Sequence, residues 1–170
     1  MSRYRVIRYL GYSIEILVLF VLQETPGLIP EIGGARPVML IPAAVCIAMF
    51  EHETPAMVFG LAGGLLADFG AGGLLGFHGL LLAVFCFVIS LMAANLFQTN
   101  FFTALLTCAI SEACITLLQW VFFFVVHGYA YPLYALTAHY LPIFCYTFAL
   151  TPVAYAFNRG LALQIRSKEE

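Results

Sequence analysis

Three acidic side chains, Glu15, Asp68 and Glu112, stand inside long apolar stretches of the sequence. An ionised carboxylate surrounded by hydrocarbon is costly, so such residues are rare and usually face a protein interior or a cavity. If these stretches cross a membrane, each acid is expected to face other helices rather than lipid. Each should then be paired with another group, be protonated, or take part in the function of the protein.

Glu112 has the strongest chemical context of the three. At helical spacing it shares one side with Cys108, Thr116 and Gln119. Two interpretations remain open, a path for protons or substrate and a protonated carboxyl group hydrogen-bonded to a neighbouring helix, and we favour the second. Because the apolar stretches contain no Lys or Arg beyond Arg8, near the start of the first, Glu15 is the natural partner, and the two carboxyl groups could share a proton.

Residues suited to catalysis or metal binding are not recognisable in the sequence. It contains no zinc-protease, nucleophile-elbow or phosphate-loop motif. His52 lies between Glu51 and Glu53, but two further ligands at usable spacing are missing, so we favour a solvated turn. The cysteines lie in apolar runs and are typical of small packing residues: Cys46, Cys86, Cys108, Cys114 and Cys145. We expect no catalytic, cofactor-binding or metal-binding residues and no enzymatic activity.

The composition requires that these residues be positioned by helices in lipid. The chain has 170 residues, of which 63% are hydrophobic and 9% are charged, whereas ordinary globular domains carry about 25% charged residues. Its outer surface must therefore face hydrocarbon. A span needs about 20 apolar residues, so the chain is expected to form one integral membrane domain, residues 1–170, with no room for a soluble catalytic domain.

The basic residues predict the topology. Six of the seven lie at the two ends: Arg3, Arg5, Arg8, Arg159, Arg166 and Lys168. Lys and Arg near span ends stay on the cytoplasmic side, so both termini should be cytoplasmic and the number of spans even. Arg36 is the exception. The basic ends suit anionic lipid headgroups, but they are too few to suggest nucleic-acid binding.

We therefore predict an all-α polytopic membrane protein with about six transmembrane helices. The predicted spans are residues 6–22, 38–50, 55–69, 74–97, 101–126 and 131–157. The loops at 51–54 and 98–100 would be cytoplasmic, and the loop at 23–37 and the turns near 70–73 and 127–131 would face outward.

The third predicted span carries small residues on one face. Ala56, Gly60 and Gly64 recur every four residues, and Asp68 continues the series. Such a face lets another helix approach closely, within the chain or in a partner. Asp68 would either contact a partner or an ion, or cap the backbone of the following turn, which we favour. His78 would either reach Asp68 or be satisfied by backbone carbonyls, and we favour the carbonyls.

The segment at 64–78, GLLADFGAGGLLGFH, resembles the signature of the rod shape-determining protein MreD family. That signature has a Gly, an Asp four residues later, a small-residue turn, then Leu-Gly and an apolar span. The positions that carry it here are Asp68, Gly72, Leu75, Gly76 and His78. The resemblance is close over residues 60–81 and loose elsewhere, and this chain has Ala71 where members commonly have Ser.

The resemblance implies a non-enzymatic, multi-pass scaffold of the bacterial cytoplasmic (inner) membrane. Such a subunit would help to maintain rod shape and direct lateral peptidoglycan synthesis. The implied partners are an MreC-like protein and, indirectly, the actin-like MreB, RodA and a class B penicillin-binding protein. We expect the face of Ala56, Gly60 and Gly64 to pack a helix of this chain or of the MreC-like partner.

A second function stays open, because the MreD fold is similar to the substrate-binding S components of energy-coupling-factor vitamin transporters. The polar stripe around Glu112 is compatible with an S component. Those subunits usually carry an Ala-x-x-x-Ala pair in their first span, and residues 11–18 have none. The loop at 23–37 also lacks a polar side-chain cluster suited to a ligand lid.

Overall fold

The protein is an α-helical membrane protein. The computed structural model describes residues 3–32, 34–71, 74–96, 98–129 and 131–166, and Gly72 of the signature lies outside these ranges. Within them the chain forms helices and one isolated backbone bridge between Ile32 and Ala35. Four helical segments are long and apolar enough to cross a membrane: Tyr4–Glu24, Phe77–Asn95, Phe101–Val125 and Pro132–Leu163.

Seven α-helices are numbered in chain order. They are α1 (Arg3–Glu24), α2 (Leu40–Phe50), α3 (Glu53–Ala71), α4 (Phe77–Asn95), α5 (Phe101–Trp120), α6 (Pro132–Ala135) and α7 (Leu141–Arg166). A π-helical turn, Val121–Val125, extends α5, and a second one, Leu136–Tyr140, joins α6 to α7. Helices therefore form at each predicted span, but their first and last residues differ from the predicted ones.

The largest difference from the predicted limits is at the last helix. The sequence suggested an end at residue 157, but α7 continues to Arg166. Asn158 is buried inside the fold, so its polarity does not end the helix. The π-helical turn Leu136–Tyr140 precedes Pro142, whose missing N–H leaves a carbonyl to be accommodated.

The short helix α2 lies at the centre of the molecule. All its residues from Leu40 to Met49 are buried, and α1, α3, α4, α5 and α7 surround it. A helix that is apolar on every side is typical of a fully buried position. Its 11 residues span about 16 Å, less than the roughly 30 Å of a hydrocarbon core. The surrounding helices make this length tolerable because they shield its ends from lipid.

The helix bundle has two ends, which long-range contacts define. At the terminal end, where α1 begins, Arg8 contacts Glu51, and Ser90 donates a hydrogen bond to the Glu51 backbone carbonyl. At the loop end, the carboxylate of Glu24 contacts Gly70. The segment at 25–39, between α1 and α2, lies at this loop end.

Candidate functional sites

The small-residue face of α3 packs on α4 of the same chain. A methyl group placed on Gly60 would lie 2.7 Å from the carbonyl oxygen of Leu82 and 2.8 Å from the sulfur of Cys86. One placed on Gly64 would contact the His78 carbonyl oxygen and lie 2.6 Å from Gly79 Cα. These approaches leave no room for a side chain, so the helix that fills this face is α4 of the same chain, one of the two predicted alternatives.

Ala56 completes this face. It is fully buried and belongs to the core formed with α2, α4 and α5. Gly63, one residue before Gly64, points elsewhere: a methyl group there would lie 3.7 Å from Ala44 Cβ of α2, an ordinary contact. The spacing of four residues therefore selects the positions where α3 and α4 come closest.

The carboxylate of Asp68 organises the connection between α3 and α4. Its Oδ2 accepts hydrogen bonds from the N–H groups of Gly76 (2.9 Å) and Gly79 (3.1 Å), and its Oδ1 accepts one from His78 N–H (3.1 Å). Asp68 is 3% exposed. Of the two predicted alternatives for Asp68, this is the cap. The N–H groups that it binds belong to Gly76 and to the first turn of α4.

The side chain of His78 also reaches Asp68, so the favoured interpretation of this histidine was wrong. Its Nδ1 lies 2.7 Å from Asp68 Oδ1. Three backbone bonds already hold the carboxylate beside the start of α4, which brings the ring within reach. Gly76 has a φ of 100°, a left-handed conformation that glycine adopts without steric cost. Leu75, by contrast, is 71% exposed and contributes apolar surface at the loop end.

The two buried glutamates have different partners, which corrects the expected pair. Asn158 Nδ2 donates to Glu15 Oε1 at 2.7 Å, joining α1 to α7. Thr147 of α7 lies close to the carboxyl group of Glu112. On each glutamate the second oxygen, Oε2, is buried and has no hydrogen-bond partner in the part of the chain that the structure describes.

A cavity of about 350 Å³ with polar and apolar walls lies at the loop end and is called the loop-end cavity. Glu112, Thr116 and Gln119 line it from α5, and Thr147 lines it from α7. The predicted polar stripe therefore faces this cavity, except for Cys108. The sulfur of Cys108 lies 4.0 Å from that of Cys46 inside the core, as expected of a packing cysteine.

An apolar groove of about 440 Å³ runs between α1 and α7 and is called the α1/α7 groove. Its walls include Ile14, Val18, Val153 and Phe157, each about half exposed or more. Apolar side chains facing lipid need no further explanation in a membrane protein. Glu15 is different, since an acidic residue lines the same groove.

A buried ion pair at the terminal end was not foreseen. Arg8 Nε lies 2.5 Å from Glu51 Oε1, and Arg8 Nη2 donates to Glu51 Oε2 at 3.1 Å. Burial raises the pKa of Glu51 above its ordinary value, and the positive charge of Arg8 opposes that change. In the expected solvated turn at 51–54, His52 and Thr54 are exposed, but Glu51 is buried and Glu53 is half-buried. One feature of the sequence could have indicated this pair. A basic residue stands at the start of α1 and an acid at the end of α2, and these two ends lie together if the helices are antiparallel.

The comparisons with known proteins give no match. No protein-family model, no curated protein and no solved structure matches the chain. Fold and site together define an α-helical membrane protein with a tightly packed α3–α4 pair, a cavity with polar and apolar walls, and a lipid-facing groove.

Proposed function

We propose that the chain is a non-enzymatic membrane scaffold of the bacterial cell-elongation machinery, resembling the MreD family. The observation that supports this proposal is the α3–α4 hairpin. The residues that carry the resemblance are those that build it: Gly64 allows the close approach, Asp68 caps α4, and Gly76 supplies the left-handed turn. Such a signature describes a rigid helical pair rather than a reactive group, which suits a protein that works by assembly.

In this proposal the chain crosses the inner membrane six times with both termini in the cytoplasm. The terminal end, where Arg8 and Glu51 pair, would then be the cytoplasmic end. The loop end would face outward. The positive-inside bias of the six terminal cations supports this orientation.

The proposed docking surface for an MreC-like transmembrane helix is the α1/α7 groove. The face of Gly60 and Gly64 is filled by α4 of the same chain. The groove instead carries Glu15, whose Oε2 has no partner within the described residues. A polar group at membrane depth is stabilised by a hydrogen bond from a neighbouring helix, so a helix with a donor at this depth would complete the site.

Depletion in the native cell tests the function. Loss of the protein should turn rod-shaped cells into rounded cells, and expression of the wild-type chain should restore the rods. Cells that keep their shape and width after depletion would contradict the proposal.

The docking surface is tested by filling the groove. Val153→Trp places a large side chain at a position that is 68% exposed on the groove wall, and Val84→Trp places the same group on α4, where Val84 is 55% exposed. We expect Val153→Trp to reduce co-purification of the MreC-like protein about tenfold, as a loss of roughly 1.4 kcal/mol would do. Val84→Trp should leave it unchanged, and equal effects of the two would rule out the groove.

A vitamin-transporter S component is the second candidate, and the loop-end cavity is the observation in its favour. A concave site of a few hundred Å³ with a small number of polar groups is typical of small-molecule binding. A vitamin retained by the purified protein, together with vitamin auxotrophy and normal shape in depleted cells, would favour this function over the scaffold.

A further inference from the structure

We propose that the loop-end cavity binds a small, elongated organic cation, with the carboxyl group of Glu112 receiving its ammonium group. This inference concerns the cavity alone and stands with either candidate function. It begins with the position of Glu112, which is 2% exposed and lines the cavity. Thr147 lies close to this carboxyl group. Its Oε2 has no partner in the described part of the chain.

The charge around the cavity favours a cation over an anion. Glu24 and Glu112 both line it, and Arg36 is the only Lys or Arg between Arg8 and Arg159. Arg36 also lines it, but its side chain is 53% exposed and its guanidinium group is paired with Glu31 at 2.5 Å. The charge of Arg36 is therefore paired with Glu31 and not with Glu112.

The histidines at the cavity do not supply the missing partner. His78 lines it, but its Nδ1 lies 2.7 Å from Asp68. His139 also lines it, from the π-helical segment, and is exposed. A ligand that brings its own N–H donors would therefore complete the coordination of Glu112, and hydrogen bonds between charged groups are stronger than neutral ones.

The spacing of the polar groups distinguishes an organic cation from a metal ion. A metal ion draws its oxygen ligands to about 2.0–2.6 Å. Glu112 and Gln119 are seven residues apart on one helix, which corresponds to about 10 Å. Thr116 lies between them, so the polar groups form a line along the wall. This arrangement fits an extended molecule with an ammonium group at Glu112 and a hydrogen-bonding group near Gln119.

The body of the ligand would lie against apolar surface. Ile115, Ile143 and Tyr140 line the cavity together with the polar groups, and Tyr140 is buried. An aromatic or alkyl body is therefore compatible with the walls. The cavity volume of about 350 Å³ limits the ligand to a compact molecule.

Three probes of similar shape test the inference on the full-length protein in lipid nanodiscs. Phenethylammonium is the cation, 2-phenylethanol is the neutral analogue and phenylacetate is the anion. Binding is measured by calorimetric titration and by the shift in melting temperature. We expect the ammonium compound to bind and to raise the melting temperature, with affinity at least tenfold above that of the alcohol and with no binding of the anion.

Glu112→Gln should lower the affinity for phenethylammonium about tenfold to a hundredfold, since a hydrogen bond between charged groups is lost. Glu53→Gln makes the same substitution at the terminal end, away from the cavity, and should leave the affinity unchanged. If Glu112→Gln does not fold, Thr116→Phe provides a second variant that fills the cavity and should abolish binding.

Each contrary result overturns the inference. It fails if phenethylammonium does not bind the wild-type protein, if the three probes bind equally, or if phenylacetate binds best. It also fails if the folded Glu112→Gln variant, or the folded Thr116→Phe variant, keeps wild-type affinity. Rounded or rod-shaped depleted cells test the scaffold function separately, because that result does not depend on the cavity.

Discussion

At the scale of single residues, Asp68 shows how one carboxylate can organise a helical hairpin. A helix start leaves backbone N–H groups without helical partners, and in lipid no water satisfies them. Asp68 accepts hydrogen bonds from three such groups. The carboxylate charge is thus stabilised by donors that themselves needed an acceptor, so a buried acid here needs no ionic partner.

Asp68→Asn tests this account. The amide keeps the size of the side chain but has one acceptor oxygen and a donor group that opposes a backbone N–H. Leaving a buried donor unsatisfied costs about 1–3 kcal/mol, so we expect a loss of about 2–3 kcal/mol in the free energy of unfolding, measured by SDS titration of detergent-solubilised protein. The matched control is Glu31→Gln at the exposed pair with Arg36, which should change stability by less than about 1 kcal/mol. Equal losses would remove the special role of Asp68.

At the scale of helices, the α3–α4 contact depends on the absence of side chains. Backbone atoms of α4 occupy the space where a Gly64 methyl group would lie, whereas Gly63 faces α2 at an ordinary distance. A methyl group is therefore accommodated at Gly63 but not at the adjacent Gly64.

Gly64→Ala should destabilise the protein by about 2–3 kcal/mol, because overpacking forces the two helices apart. Gly63→Ala should be neutral or stabilise by up to about 1 kcal/mol, as alanine favours helix more than glycine does. The same SDS titration measures both variants. Similar stability of the two would contradict the close α3–α4 packing.

The Arg8–Glu51 pair links α1 to α2, and its removal should have a defined pH dependence. Breaking a buried ion pair costs about 3–5 kcal/mol, so we expect a loss of this size for Arg8→Gln near neutral pH. Burial raises the Glu51 pKa from 4.5, and losing the opposing arginine charge raises it further. A carboxyl with a higher pKa in the folded state favours folding as pH falls and loses that stabilisation as pH rises above 4.5.

The cost of Arg8→Gln should therefore be smaller at pH 5 than at pH 7.5, as measured by unfolding titrations of wild type and variant at both values. Arg36→Gln, at an exposed ion pair, should show a small cost at both. A cost for Arg8→Gln that grows as the pH falls would contradict the burial of Glu51.

At the scale of the whole molecule, the sequence was sufficient where a pattern is local. Hydropathy placed a helix at each predicted span, and the four-residue spacing of Gly60 and Gly64 indicated a close helix contact. Pairings between distant helices could not be obtained in this way. Asn158, the partner of Glu15, and Thr147, the neighbour of Glu112, both lie in α7, and nothing in the sequence near either glutamate identifies them. Gly72 of the signature lies outside the described residues.

The central position of α2 is compatible with two topologies. Helices α2 and α3 either cross the bilayer or form a hairpin within it. By length and composition, four helices among the described residues can span a membrane, and α2 is too short to do so alone. Its end is nevertheless held near the start of α1 by the Arg8–Glu51 pair. This contact predicts that the turn after α2 lies on the same side of the membrane as the N-terminus.

Cysteine labelling decides between the two topologies. In a variant without the five native cysteines, a membrane-impermeant maleimide is applied to spheroplasts carrying His52→Cys or Ile32→Cys, both at exposed positions. We expect Ile32→Cys to react in intact spheroplasts and His52→Cys to react only after permeabilisation, because a full crossing places the two positions on opposite sides. A hairpin that enters and leaves from the outer side would make both react without permeabilisation, and the proposed six spans would then reduce to four.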